Sequence, residues 1–252
     1  MIHHTDSYLL YPPHKVTVDL VGLGGTGSQV LTNLARINEA LVALGHPGLH
    51  VRAWDHDIVS AANVGRQLFS PADIGSNKAV VLITRLNRFF GYDWQAEPQA
   101  YTGQKSSNIT ISCVDTAVAR LMISMRIEGR KRQMSSNPTD RLMYWLDLGN
   151  LQHTGQVILG TLFPVKQPKN ETKVAPTMKT VTKKFNLKKV KEENQGPSCS
   201  LAEALQKQDL FINSTLAQFG CNLIWKLIRE GQIRYHGCYV NLETLSVNPI
   251  RI

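Results

Sequence analysis

Residues 16–78 read VTVDLVGLGGTGSQVLTNLARINEALVALGHPGLHVRAWDHDIVSAANVGRQLFSPADIGSNK, and this stretch decides the fold. A β-branched run, Val16 to Val21, leads directly into Gly22-Leu23-Gly24-Gly25-Thr26-Gly27-Ser28. An apolar-periodic segment follows, then a second strand-like run from Leu49 to Trp54 that ends on Asp55. Strand, glycine turn, helix and strand in that order outline a nucleotide-binding βαβ unit. The glycines let backbone approach a phosphate closely, and a helix beginning at Thr26 to Ser28 aims free N–H groups at an anion.

Glycine spacing alone also serves strand-turn-helix junctions that need it only for steric reasons. The residues after Asp55 are more telling. Asp55-His56-Asp57-Ile58-Val59 continues to Asn63, Arg66 and Gln67, and then to Asp73-Ile74-Gly75-Ser76-Asn77-Lys78. Asn, Arg, Gln and Lys gathered downstream of a ribose-type aspartate form a set suited to a triphosphate. Arginine supplies paired donors and lysine a point charge. A nicotinamide oxidoreductase fits the glycines but leaves Arg66 and Lys78 without employment. Lys78 in a first helical turn gains nothing from the helix dipole, so solvation competes with a ligand role there.

At these positions the chain resembles the ThiF/MoeB/ubiquitin-activating-enzyme superfamily. That family's pattern runs GxGGxGS, then D-x-D-x-V-x-x-x-N-x-x-R-Q, then G-x-x-K, and every one of these positions is filled here in order. The C-terminal half is similar to the ThiF-type proteins encoded with plasmid-borne PRTRC gene clusters. The resemblance implies an α/β, Rossmann-like mixed sheet, with a parallel nucleotide-binding half followed by an antiparallel half. It implies a single adenylation domain over residues 1–252. It also implies ATP and Mg²⁺ held by Gly22, Gly24, Gly25, Gly27, Asp55, Asp57, Asn63, Arg66, Gln67, Lys78 and Asp115. Arg66, Lys78 and Asp115 then act in catalysis, with Asp115 as the magnesium ligand. The expected reaction joins AMP to the C-terminal carboxylate of a small ubiquitin-like protein ending in glycine.

Two features depart from the family. Its dimers insert an arginine near the N-terminus into the partner's ATP site, and residues 1–14 contain none. Its D-C-T-D-N-x-x-x-R motif appears here as Ser112-Cys113-Val114-Asp115-Thr116 followed by Arg120. Asp115 could also serve merely as a helix N-cap. These departures leave open a second reading, a catalytically weak or inactive nucleotide-binding assembly module.

A chain of 252 residues with 42% hydrophobic content supports one large α/β domain or two small ones. No apolar run reaches membrane-spanning length, and MIHHTDSYLLYPPHK lacks the form of a signal peptide, so the cytoplasm is expected. Cys113, Cys199, Cys221 and Cys238 form no CxxC pair, so neither a structural zinc nor disulfides are expected.

The net charge of +9 favours acidic partners. Much of it lies in residues 164–197, where nine lysines face three glutamates with little apolar periodicity. That composition predicts a long mobile loop. It reads as a solvated linker, as a nucleic-acid contact, or as the family's crossover loop over the tail of a ubiquitin-like protein. Phe185 alone offers base stacking, which weighs against nucleic acid. Directly after it, Pro197-Ser198-Cys199-Ser200-Leu201 resembles the P-x-C-T-L of eukaryotic activating enzymes. There the cysteine takes the acyl group as a thioester, for transfer to a conjugating-enzyme-like protein; an inert cysteine fits Cys199 as well. A homodimer follows from the family.

Further helices are expected over 75–90, with Val80, Val81, Ile83, Leu86 and Phe89 inward, and over 117–130, with Val118, Leu121, Met122 and Met125 inward. A third long helix is expected over 209–229, with Phe219 among its inward residues, and a closing hairpin over 233–250.

Overall fold

The computed structural model describes residues 1–131, 141–190 and 201–252. The chain opens with a two-residue strand, β1 (His3–His4), and a single helical turn, α1 (Ser7–Leu10), capped by the Asp6 carboxylate. Pro12 and Pro13 then prevent further helix. The expected unit follows as β2 (Val16–Val21), α2 (Gly25–Ala43) and β3 (Leu49–Trp54). Next come α3 (Lys78–Phe90), β4 (Gln95–Glu97), β5 (Ile109–Ser112) and α4 (Ala117–Lys131). The second half holds β6 (Tyr144–Asn150), β7 (Thr154–Thr161), short helices α5 (Val181–Lys184) and α6 (Leu201–Lys207), and α7 (Ile212–Arg229). It ends with β8 (Gln232–Ile233), β9 (Tyr235–Asn241) and β10 (Ser246–Arg251).

The main sheet has eight strands in the order β10-β9-β7-β6-β5-β2-β3-β4. From β4 to β6 every pairing is parallel, and from β6 to β10 every pairing is antiparallel. The mixed architecture is the one expected. Side chains along a strand alternate between faces. Tyr144, Leu146 and Leu148 therefore enter one core with α2 and α7, while Trp145 enters the other beside Ile123 and Ile127 of α4. Each such fully buried apolar side chain contributes roughly 1.5–3 kcal/mol.

The sheet also buries charge. Arg52 Nε and Trp54 Nε1 both donate to Asp19 Oδ1, at 2.7 and 3.1 Å, inside the β2–β3 pair. Buried charges persist in this way only when they are paired and hydrogen-bonded.

Two helices depart from the sequence expectation, α3 in part. In α3, Ile83 is buried and Val81 and Leu86 pack against the core as expected, but Val80 and Phe89 are exposed, Phe89 by 80%, and Lys78, Ala79 and Leu82 complete the inward face. In α4, Val118, Met122 and Met125 are exposed, and Ala117, Arg120, Ile123 and Ile127 point inward. Each helix carries a cation on its buried face, which rotates the apolar stripe away from the one that keeps cations in water. In α7, Phe219 is likewise partly exposed, while Ile212, Leu216, Ile224 and Leu227 are buried. Cys113 lies just beyond β5 rather than within it, and Cys221 and Cys238 are buried.

Apart from the single turn α5 and a 3₁₀ turn at Leu187–Lys189, residues 164–190 carry no regular structure, and they are laid along the body rather than detached from it. Val165, Ala175, Met178 and Val181 are buried, and Ile2 exchanges backbone hydrogen bonds with Lys173 and Ala175. Cys199 lies outside the described residues, with the rest of 191–200 and with 132–140.

Candidate active site

The chain runs from β2 outward to β3 and β4, then returns to place β5 on the other side of β2. The carboxyl ends of β2 and β5 thus form a topological switch point, where open α/β sheets bind ligands. A cavity of about 480 Å³ opens there, of the size that small-molecule sites have.

The glycines of the turn that borders this cavity serve three distinct purposes. Gly22 has φ +87°, and a Cβ on it would lie 2.8 Å from the Cys113 carbonyl oxygen. A Cβ on Gly27 would lie 1.8 Å from the Gly22 carbonyl oxygen, so the turn closes on itself only with glycine there. Gly24 instead has open space before it, its nearest neighbour being Gln67 Nε2 at 3.9 Å. Gly24 is also the N-cap of α2 and provides no side-chain acceptor to the helix start. The first turn of α2 therefore presents its N–H groups to the cavity, which is the local chemistry of an anion site.

Asp55 holds this turn in shape. Its Oδ2 accepts from Leu23 N at 2.6 Å and its Oδ1 from Asp57 N at 2.9 Å. Burial pushes its carboxyl above the ordinary range, and the two N–H donors and Lys78 pull it back. Lys78 is 7% exposed and donates from Nζ to Asp57 Oδ2 at 2.9 Å. Its position is fixed by Asn77, which caps α3 at Val80 N and holds the Asp55 and Asp57 carbonyls. Arg66 comes from the loop between β3 and α3, and burial lowers its pKa. Its Nη1 donates to Gln208 Oε1 at 2.9 Å, while its buried Nε has no partner among the described residues. The neighbouring Gln67 is buried with Oε1 likewise unmatched. An unmatched buried polar atom is costly; two side by side on one wall leave a donor and an acceptor for a ligand.

Of the residues expected to bind nucleotide, Gly22, Gly24, Gly25, Asp55, Asp57, Arg66, Gln67, Lys78 and Asp115 line the cavity together. Gly27 lies behind the turn as a packing residue. Asn63 does not line the cavity. It ends a short 3₁₀ turn, Ala61–Asn63, and its Oδ1 accepts from Ser60 N and Oγ. Asp115 stands exposed at the rim, and Thr116, not Asp115, caps α4 by accepting from Ala119 N at 3.1 Å. Among the described residues, the carboxylate and imidazole atoms close enough to share an ion belong to Asp55, His56 and Asp57. The expected magnesium carboxylate is not among them. Cys113 is at the cavity wall, where burial raises its thiol well above the usual value, so it is no ready nucleophile.

Two cavity residues carried no local signal. Gln208, in the turn after α6, accepts from Arg66, and Asn213, in the first turn of α7, accepts from Thr26 at the start of α2. Those partners lie 142 and 187 residues away in sequence, beyond any motif.

A switch-point cavity walled by a glycine turn, an open helix start and two cations defines a Rossmann-like α/β protein with a site built for an anion. The chain belongs to the ThiF family, whose sequence pattern it matches over residues 14–229. Its fold is similar to that of PaaA, at a TM-score of 0.58 and 14% identity, over 94% of this chain and 64% of PaaA. It is similar to E. coli MccB solved with MccA, at 0.58 and 15% identity, over 97% of this chain and 65% of that one. E. coli MccB solved with ATP aligns at 0.54 and 15% identity, over 96% and 64%. This chain therefore spans just under two thirds of those proteins' length. No curated protein matches it in sequence. No helix among the described residues is long and apolar enough to cross a membrane.

Proposed function

We propose that this chain binds ATP with Mg²⁺ in the switch-point cavity and adenylates the C-terminal carboxylate of a small ubiquitin-like protein ending in glycine. The observation that carries this reading is the open start of α2 sharing one cavity with Arg66 and Lys78. ATP supplies an activated α-phosphorus to which the carboxylate adds, with pyrophosphate as the leaving group. The chain's own residues have four tasks. Gly22 to Gly25 admit the phosphates to backbone N–H groups. Arg66 and Lys78 neutralise accumulating negative charge. Asp55 fixes the turn and offers its remaining lone pairs to ribose hydroxyls, and Asp115 is the candidate magnesium ligand, because carboxylate plus phosphate is how that ion is held. No protein base is required, since a carboxylate nucleophile is already ionised; positioning and charge do the rest.

The solved E. coli MccB complexes with ATP, and with AMPCPP and MccA, support this assignment. The proposal extends to a cytoplasmic homodimer in the setting of a PRTRC gene cluster. Cys199 is then the candidate thioester site before transfer to a conjugating-enzyme-like protein. The test is ATP–pyrophosphate exchange with a co-encoded small protein ending in glycine. Exchange that requires that glycine is the expected result, and absence of ATP binding overturns the reading.

One observation favours a second reading, a nucleotide-binding assembly module without turnover. Residues 1–5 are tied to their own chain: the Met1 amine donates to the Ile252 carbonyl at 3.0 Å, and β1 pairs with β8. Residues 1–14 contain no arginine, so a segment held in this way brings none to a partner's site. ATP binding with no exchange would select this reading.

A further inference from the structure

Arg66 does not reach the cavity by its own loop alone. Gln208 Oε1 accepts two donors at once, Arg66 Nη1 at 2.9 Å and Asn213 Nδ2 at 2.8 Å. Asn213 Oδ1 in turn accepts from Thr26 Oγ1 at 2.8 Å, in the first turn of α2. Asn213 is itself buried and fills the space before Gly25, where a Cβ would come within 2.7 Å of its carboxamide. The four side chains form one line, Arg66–Gln208–Asn213–Thr26, across the wall of the cavity.

The turn that carries Gln208 is fixed from the other side of the site. Asp209 N donates to the Gln152 carbonyl at 2.9 Å, and Gln152 Nε2 donates to the Gln206 carbonyl at 3.0 Å. The turn between β6 and β7 thus anchors the end of α6. That helix packs against the 3₁₀ turn Ala61–Asn63, which begins the loop bearing Arg66. The relay is therefore anchored at its Thr26 end on α2 and, through the turn that carries Gln208, on the β6–β7 turn.

We propose that Gln208 and Asn213 are positioning residues for the nucleotide: they orient the Arg66 guanidinium toward polyphosphate and lock it to the helix start that receives the same phosphates. The proposal rests on the ATP-binding reading above. The chemistry is specific. A carboxamide oxygen shared by two donors holds Arg66 through Nη1 and adds no negative charge to an anion site, which leaves Nε and Nη2 for phosphate oxygens. Because the relay acts through Arg66, it serves the β- and γ-phosphates and has nothing to give a nucleoside.

The experiment measures equilibrium binding of ATP and of AMP to the full chain and to Gln208→Leu, Asn213→Ala, Arg66→Ala and the Gln208→Leu/Arg66→Ala pair. Urea midpoints are recorded alongside. Gln208→Leu should weaken ATP by roughly tenfold, the scale of one hydrogen bond to a charged group, and leave AMP within twofold. Asn213→Ala should show the same selectivity with a smaller loss. In the Arg66→Ala background, Gln208→Leu should add nothing further, because its partner is gone. Equal losses for ATP and AMP, or additive losses in the pair, overturn the positioning role and leave the ATP site standing. A wild-type chain that binds neither nucleotide overturns the site and this proposal with it.

Discussion

Arg120 Nε donates to both carboxylate oxygens of Asp147, at 3.0 and 3.1 Å, with the two side chains almost entirely removed from water. Ser112 Oγ adds a 2.6 Å bond to Asp147 Oδ1, and Trp145 Nε1 donates to that same hydroxyl at 2.8 Å. The guanidinium spans outward as well, from Nη1 to the Thr116 carbonyl and from Nη2 to the Leu148 carbonyl. This network ties β5, β6 and the start of α4 together directly behind Asp115. The altered family motif, with serine at 112, therefore still ends in a fully bonded arginine.

From this pair comes a stability prediction. Asp147→Ala leaves a buried guanidinium with neither counter-charge nor water, and should cost about 3–5 kcal/mol. Removing both charges, in Asp147→Leu with Arg120→Met, should cost much less, since apolar replacement of a buried pair is often near neutral. Urea midpoints of the single and double variants decide it. Equal destabilisation by both would mean that packing, not charge, holds this junction.

The glycine turn separates folding from binding. Gly27→Ala forces a Cβ against the Gly22 carbonyl, and backbone on both sides leaves no room to yield. It should destabilise by on the order of 3 kcal/mol or more. Gly24→Ala meets only Gln67 Nε2, at 3.9 Å, and should leave the urea midpoint within about 0.5 kcal/mol of wild type. Its methyl group occupies the approach to the α2 start, so ATP affinity should fall at least about tenfold, a penalty near 1.4 kcal/mol. Thermal unfolding and nucleotide titration on the two variants test the division of roles.

Lys78 and Arg66 carry the predicted chemistry. Replacing either by alanine removes an oriented cation from an enclosed site and should slow pyrophosphate exchange by roughly 2–4 kcal/mol in transition-state terms. For Lys78 a second consequence follows. Its Nζ holds the half-exposed Asp57 carboxylate, so Lys78→Ala also leaves two aspartates at the cavity edge without their cation. The loss in ATP binding should therefore be nearly as large in the equally neutral Lys78→Gln, be much smaller in the charge-keeping Lys78→Arg, and shrink as salt is raised. Salt-independent losses would remove Lys78 from the electrostatic account.

The βαβ unit and its cations were legible because their signals are local. Strand residues, glycines and the Asp55-to-Lys78 run sit within 63 consecutive positions, and each obeys a rule of spacing or chemistry. The phases of α3 and α4 were not, for one shared reason. Periodicity assigns the apolar stripe by sending cations to water, yet Lys78 and Arg120 are both buried against carboxylates donated by other segments. Asp57 and Asp147 pair with them across 21 and 27 residues. Gln208 and Asn213 were invisible for the same cause at longer range. Asn63 differs in the other direction: its motif position matches, while its Oδ1 accepts from Ser60 and it lies off the cavity wall.

Histidines buried against the sheet make stability depend on pH. His3 hydrogen-bonds the Ala175 carbonyl and the Tyr144 hydroxyl, and His236 the Leu159 carbonyl. Burial holds both below the ordinary histidine value of 6.5, and does the same for His46 and His50. In each case the unfolded chain takes up a proton near 6.5 that the folded chain refuses, so the folded state is favoured above that value and loses ground as pH falls through it. Stability should be flat from about pH 8 to 7 and decline below 6.5. Because His3 joins the N-terminal strand to the segment around Ala175, His3→Gln should shallow that decline, and hydrogen exchange near residues 173–178 should no longer quicken on acidification to the same degree. An unchanged acid slope in His3→Gln would assign the dependence to the other three histidines.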